Sequence, residues 1–243
     1  MKNLFNIFLY QLILLIAFNS SSLLAIGTYA EGSVLAKIVQ IESRGLVFES
    51  FEGLLEISSY AQDEKCDEAK DECFKLTKKQ IEFSVRPQNA EVVNLLKKSI
   101  NAELLIDYKI HRIKSITLSS DFEVLAAKTQ ETNVAPELGE KLIVKKSGSK
   151  RNFSVYGRIL QLDYQGTFIG TYEGLYLDET KGRIHPFSVT NEQIAKYALT
   201  AMKSSTRFNI GITVAFATGF RKSDYDIFEI NYKAPADGVY TPN

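Results

Sequence analysis

Two glutamates, each followed by a glycine, are the best candidates in this chain for acid chemistry. Glu52 and Glu173 precede Gly53 and Gly174 in two stretches of similar sequence. A carboxylic acid contributes to catalysis when a second group nearby accepts a proton or attacks the substrate. The sequence places one such glutamate in each stretch and no catalytic partner beside it. A residue in a hairpin turn is therefore the stronger interpretation of both.

The two histidines form no catalytic arrangement. His111 and His185 lie at non-equivalent places in the two halves of the chain. Isolated histidines do not make a zinc site without cysteines or clustered carboxylates. The sequence also lacks the G-x-S-x-G turn of a nucleophilic serine and the G-x-G-x-x-G loop that binds dinucleotides. It therefore predicts a protein that is not an enzyme and that carries no cofactor or metal.

One stretch of sequence occurs twice and organises the chain. Ser33–Leu54 and Ser154–Leu175 align without a gap at a constant offset of 121 residues. The shared residues include the pairs Ser33/Ser154, Val34/Val155, Gln40/Gln161, Gly45/Gly166, Glu52/Glu173, Gly53/Gly174 and Leu54/Leu175. A repeated sequence indicates a repeated structural unit. The chain is therefore predicted to contain two copies of one small domain.

Hydrophobic periodicity predicts strands on both sides of a helix in each copy. The helices are expected to follow the cap residues Asn89 and Asn191, and Glu52-Gly53 is expected to be a turn. The predicted strands of the first copy are Val34–Ile41, Leu46–Phe51, a third that begins at Leu54–Ile57 and is read again after the insertion at Gln80–Val85, Leu104–Ile113 and Asp121–Ala127; the last two of the second copy are Phe208–Ala217 and Ile227–Tyr232. Three strands, a helix and two strands are the order of an oligonucleotide/oligosaccharide-binding (OB) barrel. The predicted fold is mainly β with two short helices, arranged as two tandem OB-like five-stranded β-barrel repeats.

The first thirty residues have the layout of a secretory signal. Lys2 precedes the apolar run Leu4–Phe18, and small residues permit cleavage before Thr28 or before Glu31. An uncleaved N-terminal anchor is the alternative. Lys+Arg and Asp+Glu both number 29, so the net charge is zero. Because nucleic-acid binders carry a basic excess, the sequence predicts no nucleic-acid partner. The signal-like segment predicts export to the periplasm or cell envelope, with no later membrane span.

Cys66 and Cys73 predict a structural disulfide, since paired cysteines are typical of exported proteins. Both lie in Ser58–Lys79, an insertion that only the first copy contains. On one continuous helix their Cα atoms would lie about 10 Å apart, beyond the roughly 4.4–6.8 Å of a disulfide. The segment is therefore not expected to be a single helix. Its acidic residues lack a glycine for a calcium-binding turn and are expected to form a solvated loop.

The run from Ser43 to Gly53, S-R-G-L-V-F-E-S-F-E-G, is followed by Phe83-Ser84-Val85 and the predicted helix. This arrangement resembles a family of small, functionally uncharacterised exported bacterial envelope proteins. The resemblance covers mainly residues 31–127, and the chain departs from it at Leu35, Lys37 and Phe51. It implies the fold and the compartment, and it implies no activity.

An OB-like barrel binds ligands across its second and third strands and the neighbouring loops. The candidate ligand face is therefore made of Phe48, Phe51, Glu52 and Arg112 in the first copy and Phe168, Tyr172, Glu173 and Arg221 in the second. Half of the aromatic side chains on a strand must point into the core, so core packing is the competing interpretation of the aromatic residues. Substitution of these residues would separate the two interpretations.

The predicted organisation is a signal peptide at 1–30, a first repeat at 31–127 with its insertion at 58–79, a linker at 128–153, a second repeat at 154–233 and a flexible tail at 234–243. The predicted function is that of an exported, non-enzymatic envelope protein that acts as a protein–protein interaction or structural module. Its predicted partner is another envelope protein. Binding of an oligosaccharide or envelope glycan is the alternative.

Overall fold

The computed structural model describes residues 28–45, 49–62, 74–131, 139, 141–144, 149–166, 170–204, 207–215, 219 and 221–231. Within them the fold is mainly β. The strands are β1 (Thr28–Arg44), β2 (Ser50–Gln62), β3 (Phe74–Val85), β4 (Glu103–His111), β5 (Phe122–Lys128), β6 (Lys141–Ile143), β7 (Ser149–Gln165), β8 (Thr171–Asp178), β9 (Arg183–Val189), β10 (Phe208–Ala215) and β11 (Tyr225–Asn231). The helices are α1 (Ala90–Lys98) and α2 (Glu192–Met202).

The first five strands form a closed ring of pairings. β1 pairs with β2, β2 with β3, β4 with β1 and β5 with β4, all antiparallel. A single parallel pair, Ser84 with Glu123, joins β3 to β5 and closes the ring. The helix α1 lies between β3 and β4 in sequence. This strand order and helix position are those of an OB-like fold.

Strands β7 to β11 repeat the same pairing pattern. β7 pairs with β8 and β10, β8 with β9, and β10 with β11, all antiparallel. A parallel pair between Ser188 and Asp226 joins β9 to β11, as Ser84 and Glu123 join β3 to β5. The register also shifts at matching places, between Ile38 and Gln40 in β1 and between Ile159 and Gln161 in β7. We call these two sets the first ring and the second ring.

Each ring encloses an apolar core that its helix covers. Val92, Val93 and Leu96 of α1 are buried against the first core, as the helical spacing of these residues predicts. The corresponding face of α2 is buried against the second core and contains Ile194, Ala195, Tyr197, Ala198, Ala201 and Met202. The cores meet at the junction of the rings, because Leu35 and Leu105 of the first ring pack in the second core.

The prediction of a turn at Glu52-Gly53 was wrong. Both residues lie inside β2, where Glu52 pairs with Ser84 and Gly53 with Phe83. A Cβ on Gly53 would overlap the Gln40 carbonyl oxygen and lie 2.6 Å from Cε1 of Phe83, so the glycine provides space for close neighbours in the sheet rather than for a turn. A glycine that accommodates a neighbouring ring and one that permits a tight turn are identical in sequence.

The insertion Ser58–Lys79 is partly strand, which its polar composition did not indicate. Its first residues continue β2 and its last residues begin β3, with pairing as far as Gln62 and Phe74. The predicted disulfide between Cys66 and Cys73 lies outside the described residues, as do residues 1–27 of the predicted signal peptide 1–30, whose last three residues begin β1.

The two predicted helix caps differ in what they contact. The side chain of Asn191 accepts hydrogen bonds from two backbone amides of α2, as expected of a cap. Asn89 does not cap in this way: its side chain donates to the Leu125 carbonyl oxygen at 2.6 Å. Asn89 therefore ties α1 to β5.

Two strand contacts join the rings. Ala30–Val34 of β1 pairs antiparallel with Gln161–Gln165 of β7. The extended β2–β3 hairpin reaches β9, where Lys75 pairs with Arg183. The rings are therefore one continuous sheet system in the described residues, and the order of their strands is β2-β1-β4-β5-β3-β9-β8-β7-β10-β11-β6.

Candidate functional site

A buried carboxylate lies at the same place in each ring. In the first ring, Glu52 accepts hydrogen bonds from the hydroxyls of Ser50, at 2.5 Å, and Ser84, at 2.6 Å. The backbone amide of Ser119, in the loop between β4 and β5, donates to the same carboxylate at 3.2 Å. The Ser84 hydroxyl accepts in turn from the Ser120 amide at 2.8 Å. This network fastens the loop to strands β2 and β3.

The second ring contains the same network with one conservative change. Thr171 and Ser188 donate their hydroxyl hydrogens to Glu173, each at 2.6 Å. The Lys222 amide donates to Glu173 at 3.2 Å, and the Ser223 amide donates to the Ser188 hydroxyl at 3.0 Å. Glu52 and Glu173 are each 5% exposed. Both carboxylates are therefore occupied by structural hydrogen bonds, and the repeated Glu-Gly and Phe-Ser-Val segments are the two sides of one network.

A second acid lies next to each network and differs between the rings. Glu123 on β5 accepts from Arg86 Nε and from His111 Nε2, each at 2.6 Å. Burial favours the protonated form of Glu123, but these hydrogen bonds outweigh it and hold the pKa of Glu123 below its usual value. At the equivalent position on β11, burial raises the pKa of Asp226 above its usual value, and the nearby charge of Glu173 acts in the same direction.

The hydrogen bonds around Asp226 do not reverse this shift. The Thr190 hydroxyl donates to Asp226 at 2.7 Å, and Arg221 Nη1 lies 3.2 Å from the same carboxylate. Thr190 follows Phe-Ser-Val in the second ring, where Arg86 follows it in the first. The first ring thus has Arg86 where the second has Thr190, and the pKa values of the equivalent acids Glu123 and Asp226 are shifted in opposite directions.

In front of the first network is a shallow depression of about 100 Å³. We call its lining the open face: Gln40, Glu42, Arg44, Glu52, Gly53, Leu54, Glu82, Phe83 and Ser119. Gln40, Glu42 and Arg44 lie at the end of β1 and are exposed. Arg44 Nε donates to Glu42 at 2.6 Å, and the Glu42 side chain is 44% exposed. The open face is therefore a polar surface on strands β1, β2 and β3.

Each residue of the open face has a counterpart in the second ring. These counterparts form the covered face: Gln161, Asp163, Gln165, Glu173, Gly174, Leu175, Pro186, Phe187 and Lys222. They line one side of a cleft of about 570 Å³ between the rings. The other side belongs to the first ring and includes Val34, Tyr60 and Tyr108. The same surface thus faces solvent in the first ring, whereas in the second ring it faces the first ring across the cleft and is paired with a strand at Gln161–Gln165.

Asp163 is the residue of the covered face that anchors the contact with the first ring. The Tyr108 hydroxyl donates to Asp163, and the side chains of Gln161 and Gln165 donate to it at 2.8 and 2.5 Å. Burial and the charge of Asp163 raise the pKa of Tyr108 well above its usual value, so the phenol remains a donor at neutral pH. Asp163 is 2% exposed, whereas its counterpart Glu42 is exposed.

Gly32 allows this contact. It pairs with Tyr108 of β4 on one side and with Asp163 of β7 on the other, so the three residues lie in line across three strands. Cross-strand partners extend their side chains on the same face of a sheet, and a glycine in the middle leaves space for the phenol to cross. A Cβ on Gly32 would lie 2.4 Å from the Asp163 Cα. The junction of the rings therefore requires glycine at this position.

The predicted ligand-face residues are only partly brought together. Phe51 packs against the first core with the Lys97 ammonium 4.5 Å from its ring centre, and Tyr172 packs against the second core and the edge of Tyr164. Arg112 lies 5.6 Å from the Tyr29 ring centre, and Arg221 approaches Asp226. Glu52 and Glu173 belong to the open and covered faces. Phe48 and Phe168 lie outside the described residues.

Sequence reasoning missed the residues that give the faces their chemistry. Glu42 and Asp163 are acidic at equivalent places, and Gln40 and Gln161 are identical, so the repeat itself contained the signal. Gly32 and Tyr108 gave no signal, because each acts through a partner more than fifty residues away in the chain. Among the described residues, no group of three His, Cys, Asp or Glu side chains is placed to hold a metal ion.

The sequence model of one protein family matches residues 27–134 and 148–237. The family is described as a domain of unknown function, DUF8785. The chain belongs to this family. This agrees with the predicted resemblance to an uncharacterised family. No curated protein matches the chain.

Two solved structures of a single-stranded DNA binding protein from Thermus aquaticus are similar to this DUF8785 chain. One is a deletion mutant with 10% identity and a TM-score of 0.28, and the match covers 90% of this chain and 98% of that one. The other is the wild-type protein with 9% identity and a TM-score of 0.26, with 89% and 97% covered. This likeness assigns no ligand to the DUF8785 chain.

The exclusion of nucleic acid as a partner was wrong to rely on net charge, and the two solved structures named above are of a single-stranded DNA binding protein. The exclusion relied on net charge, which is a sum over the whole chain and does not describe a local surface. Arg112 and Lys222 illustrate the point, since both lie near the ring of Tyr29, at 5.6 and 5.7 Å from its centre. In the part of the chain that the structure describes, no helix has the length and apolar character needed to cross a membrane.

Removing the carboxylate of the first network should destabilise the fold. In Glu52→Ala, the hydroxyls of Ser50 and Ser84 and the amide of Ser119 lose their acceptor in a buried place. We expect the free energy of unfolding in urea to fall by about 3 kcal/mol. The control Glu49→Ala removes an exposed acceptor of Ser43 and should change it by less than about 0.5 kcal/mol. Equal effects of the two substitutions would contradict the structural role.

The opposite pKa shifts of Glu123 and Asp226 predict opposite pH dependences. A lowered pKa contributes stability above the unfolded value of about 4.3, and this contribution is lost as the pH falls through the folded pKa. The free energy of unfolding of Glu123→Gln should therefore be lower than that of the wild type at neutral pH, and this difference should become smaller below about pH 4. A raised pKa contributes stability below the unfolded value of about 3.9, and this contribution is lost as the pH rises through the folded pKa. The free energy of unfolding of Asp226→Asn should therefore increase relative to that of the wild type as the pH rises. Urea unfolding between about pH 3 and 7 tests both, and parallel curves would contradict the assignment.

Proposed function

We propose that this DUF8785 chain is a non-enzymatic protein-interaction module of the cell envelope, built from two tandem OB-like five-stranded barrels. The first barrel is the first ring and the second barrel is the second ring. One observation supports this proposal above the others. Nine pairs of equivalent residues line the open and covered faces, and a strand of the other ring pairs with one of the two faces along Gln161–Gln165.

The covered face supports the proposal because it displays what such a surface can bind. Its contacts with the first ring are those of a protein interface: five paired residues of two strands, and a phenol that donates to a buried carboxylate. Leu162, between two residues of this face, is fully buried. A surface with these residues therefore forms strand pairs and side-chain hydrogen bonds with a neighbouring polypeptide.

The open face supports the proposal because it retains most residue types of the covered face but is exposed to solvent. Glutamine, glutamate, glycine, leucine and phenylalanine are retained at equivalent positions, and an acid is retained at Glu42 and Asp163. The Glu42 side chain is exposed, with only Arg44 hydrogen-bonded to it in the described residues. An acceptor held out from a rigid sheet is available to a partner at little cost in conformational entropy.

A structural role suits the two buried glutamates better than a catalytic one. Each carboxylate of Glu52 and Glu173 accepts hydrogen bonds on both of its oxygens from hydroxyl groups and a backbone amide. A general acid must present its proton to a substrate. The acids that catalysis could have used therefore stabilise the loops instead.

The open face should contact proteins in the cell. We expect a photo-reactive amino acid at Glu42 to yield crosslinked polypeptides that mass spectrometry identifies, because this position projects from the proposed interface. The matched control is Glu91, which is equally charged and exposed at the start of α1. The same partner should crosslink again when it is purified and mixed with the protein. Position 42 yielding no more protein adducts than position 91 would overturn the proposal.

The two predicted cleavage points of the N-terminal segment have different consequences for β1. Ala30 is 1% exposed and pairs with both Ile110 and Gln165, and the ring of Tyr29 contacts Arg112 and Lys222. Cleavage before Glu31 would remove both residues from β1, so we expect the mature protein to begin at Thr28. N-terminal sequencing of the envelope fraction tests this. A chain that begins at Glu31 would contradict the cleavage point, and one that retains Met1 would contradict removal of the signal.

A further inference from the structure

We infer that the open face binds its partner by strand addition: an extended segment of another protein pairs antiparallel with Gln40–Arg44 at the outer edge of β1. This inference rests on the proposed function and specifies how the interaction is made. Strand addition provides affinity through main-chain hydrogen bonds and specificity through the side chains that alternate along the strand.

The outer edge of Gln40–Arg44 is available for pairing. β1 is a long strand that changes neighbours along its length: Thr28–Lys37 pairs with β4, and the segment from Ala36 to Arg44 pairs with β2 on the opposite side. Beyond Lys37 the pairing with β4 ends, so Gln40–Arg44 has a strand on one side only in the described residues. Its free side carries unpaired main-chain groups, which are a template for another strand.

The second ring shows the same edge with its strand in place. The early part of β7 pairs with β10, and the later part, Gln161–Gln165, pairs with β8 on one side. On the other side it receives Ala30–Val34 of β1, in the register Ala30 with Gln165 to Val34 with Gln161. Subtracting the 121-residue offset places Gln161–Gln165 on Gln40–Arg44. The edge inferred to bind a strand is thus the equivalent of one that does.

The observed pairing also defines the chemistry of the partner. Gly32 lies opposite Asp163, and the Tyr108 phenol crosses it to donate to that carboxylate. Glu42 is the equivalent of Asp163. The partner strand should therefore have glycine in register with Glu42 and a hydroxyl donor on the strand next to it. Glu42 would exchange the hydrogen bond that it now accepts from Arg44 for the one from the partner.

In a second copy of this chain, Ala30–Val34 is already paired with its own second ring, and the equivalent segment does not fit the edge. The segment of the second ring equivalent to Ala30–Val34 is 151–155, and it has Phe153 in the place of Gly32. A Cβ alone on Gly32 would lie 2.4 Å from the opposite Cα, so a phenylalanine cannot take this register. Arg151 would also lie opposite Arg44, where like charges repel. The edge therefore selects a different protein.

The test uses a probe that reproduces the known occupant. A cyclic peptide contains the sequences of Thr28–Lys37 and Glu103–His111, joined at both ends by Asn-Gly turns that favour a hairpin. It carries the equivalents of Gly32 and Tyr108. We expect it to slow amide hydrogen exchange of the full protein at Gln40–Arg44. Probes with Gly32→Val or Tyr108→Phe should bind roughly tenfold more weakly or not at all, since each removes one feature of the junction.

Variants of the protein complete the test. Glu42→Lys should weaken binding of the cyclic probe by a similar factor, and Glu91→Lys on α1 should leave it unchanged. Slowed exchange at a different strand, or unchanged exchange at Gln40–Arg44, would overturn strand addition. If position 42 still crosslinks to proteins in that case, the interaction module stands and only its mode of binding fails. If neither experiment gives binding, both proposals fail.

Discussion

The buried carboxylates of Glu52 and Glu173 are the constraint on which the rest of the structure depends. A buried negative charge is tolerated only where hydrogen bonds replace the water it has lost. Here the replacements come from the strand that carries the glutamate, the Phe-Ser-Val strand beside it and the loop before the fifth strand. Satisfying one charge therefore brings three separate parts of the chain together and closes each ring.

The two rings have the same strand pairing but differ at the residues that form the junction between them. Gly32 and Tyr108 of the first ring contact the face of the second, but their counterparts are Phe153 and Ile212, which neither leave the space nor donate the hydrogen bond. The junction therefore forms in one direction only. If the second ring could also contact the first ring of another molecule in this way, each molecule would bind the next and form an open-ended assembly.

Local patterns predicted the features that depend on neighbouring residues, and the long-range features escaped them. The apolar stripes of both helices, and the Asn191 cap, follow from a few consecutive residues. Glu52-Gly53 was mistaken for a turn because its glycine is required by neighbours on other strands, the Gln40 carbonyl oxygen and the ring of Phe83, the latter about thirty residues away in the chain. The covered face was missed for a similar reason: its strand comes from the other ring, and no local periodicity specifies which edge a strand will occupy.

Two of the three positions at which the faces differ most explain why a strand of the chain pairs with one face and not with the other. Arg44, Glu82 and Ser119 of the open face correspond to Gln165, Pro186 and Lys222. Covering Arg44 and Glu82 would remove charges from water, which is costly without matched partners. Glutamine and proline at the equivalent places carry no charge, so the second ring can be covered at lower cost. The charges of the open face instead oppose nonspecific pairing at an exposed edge, as charged edge residues commonly do, and restrict it to a partner that complements them.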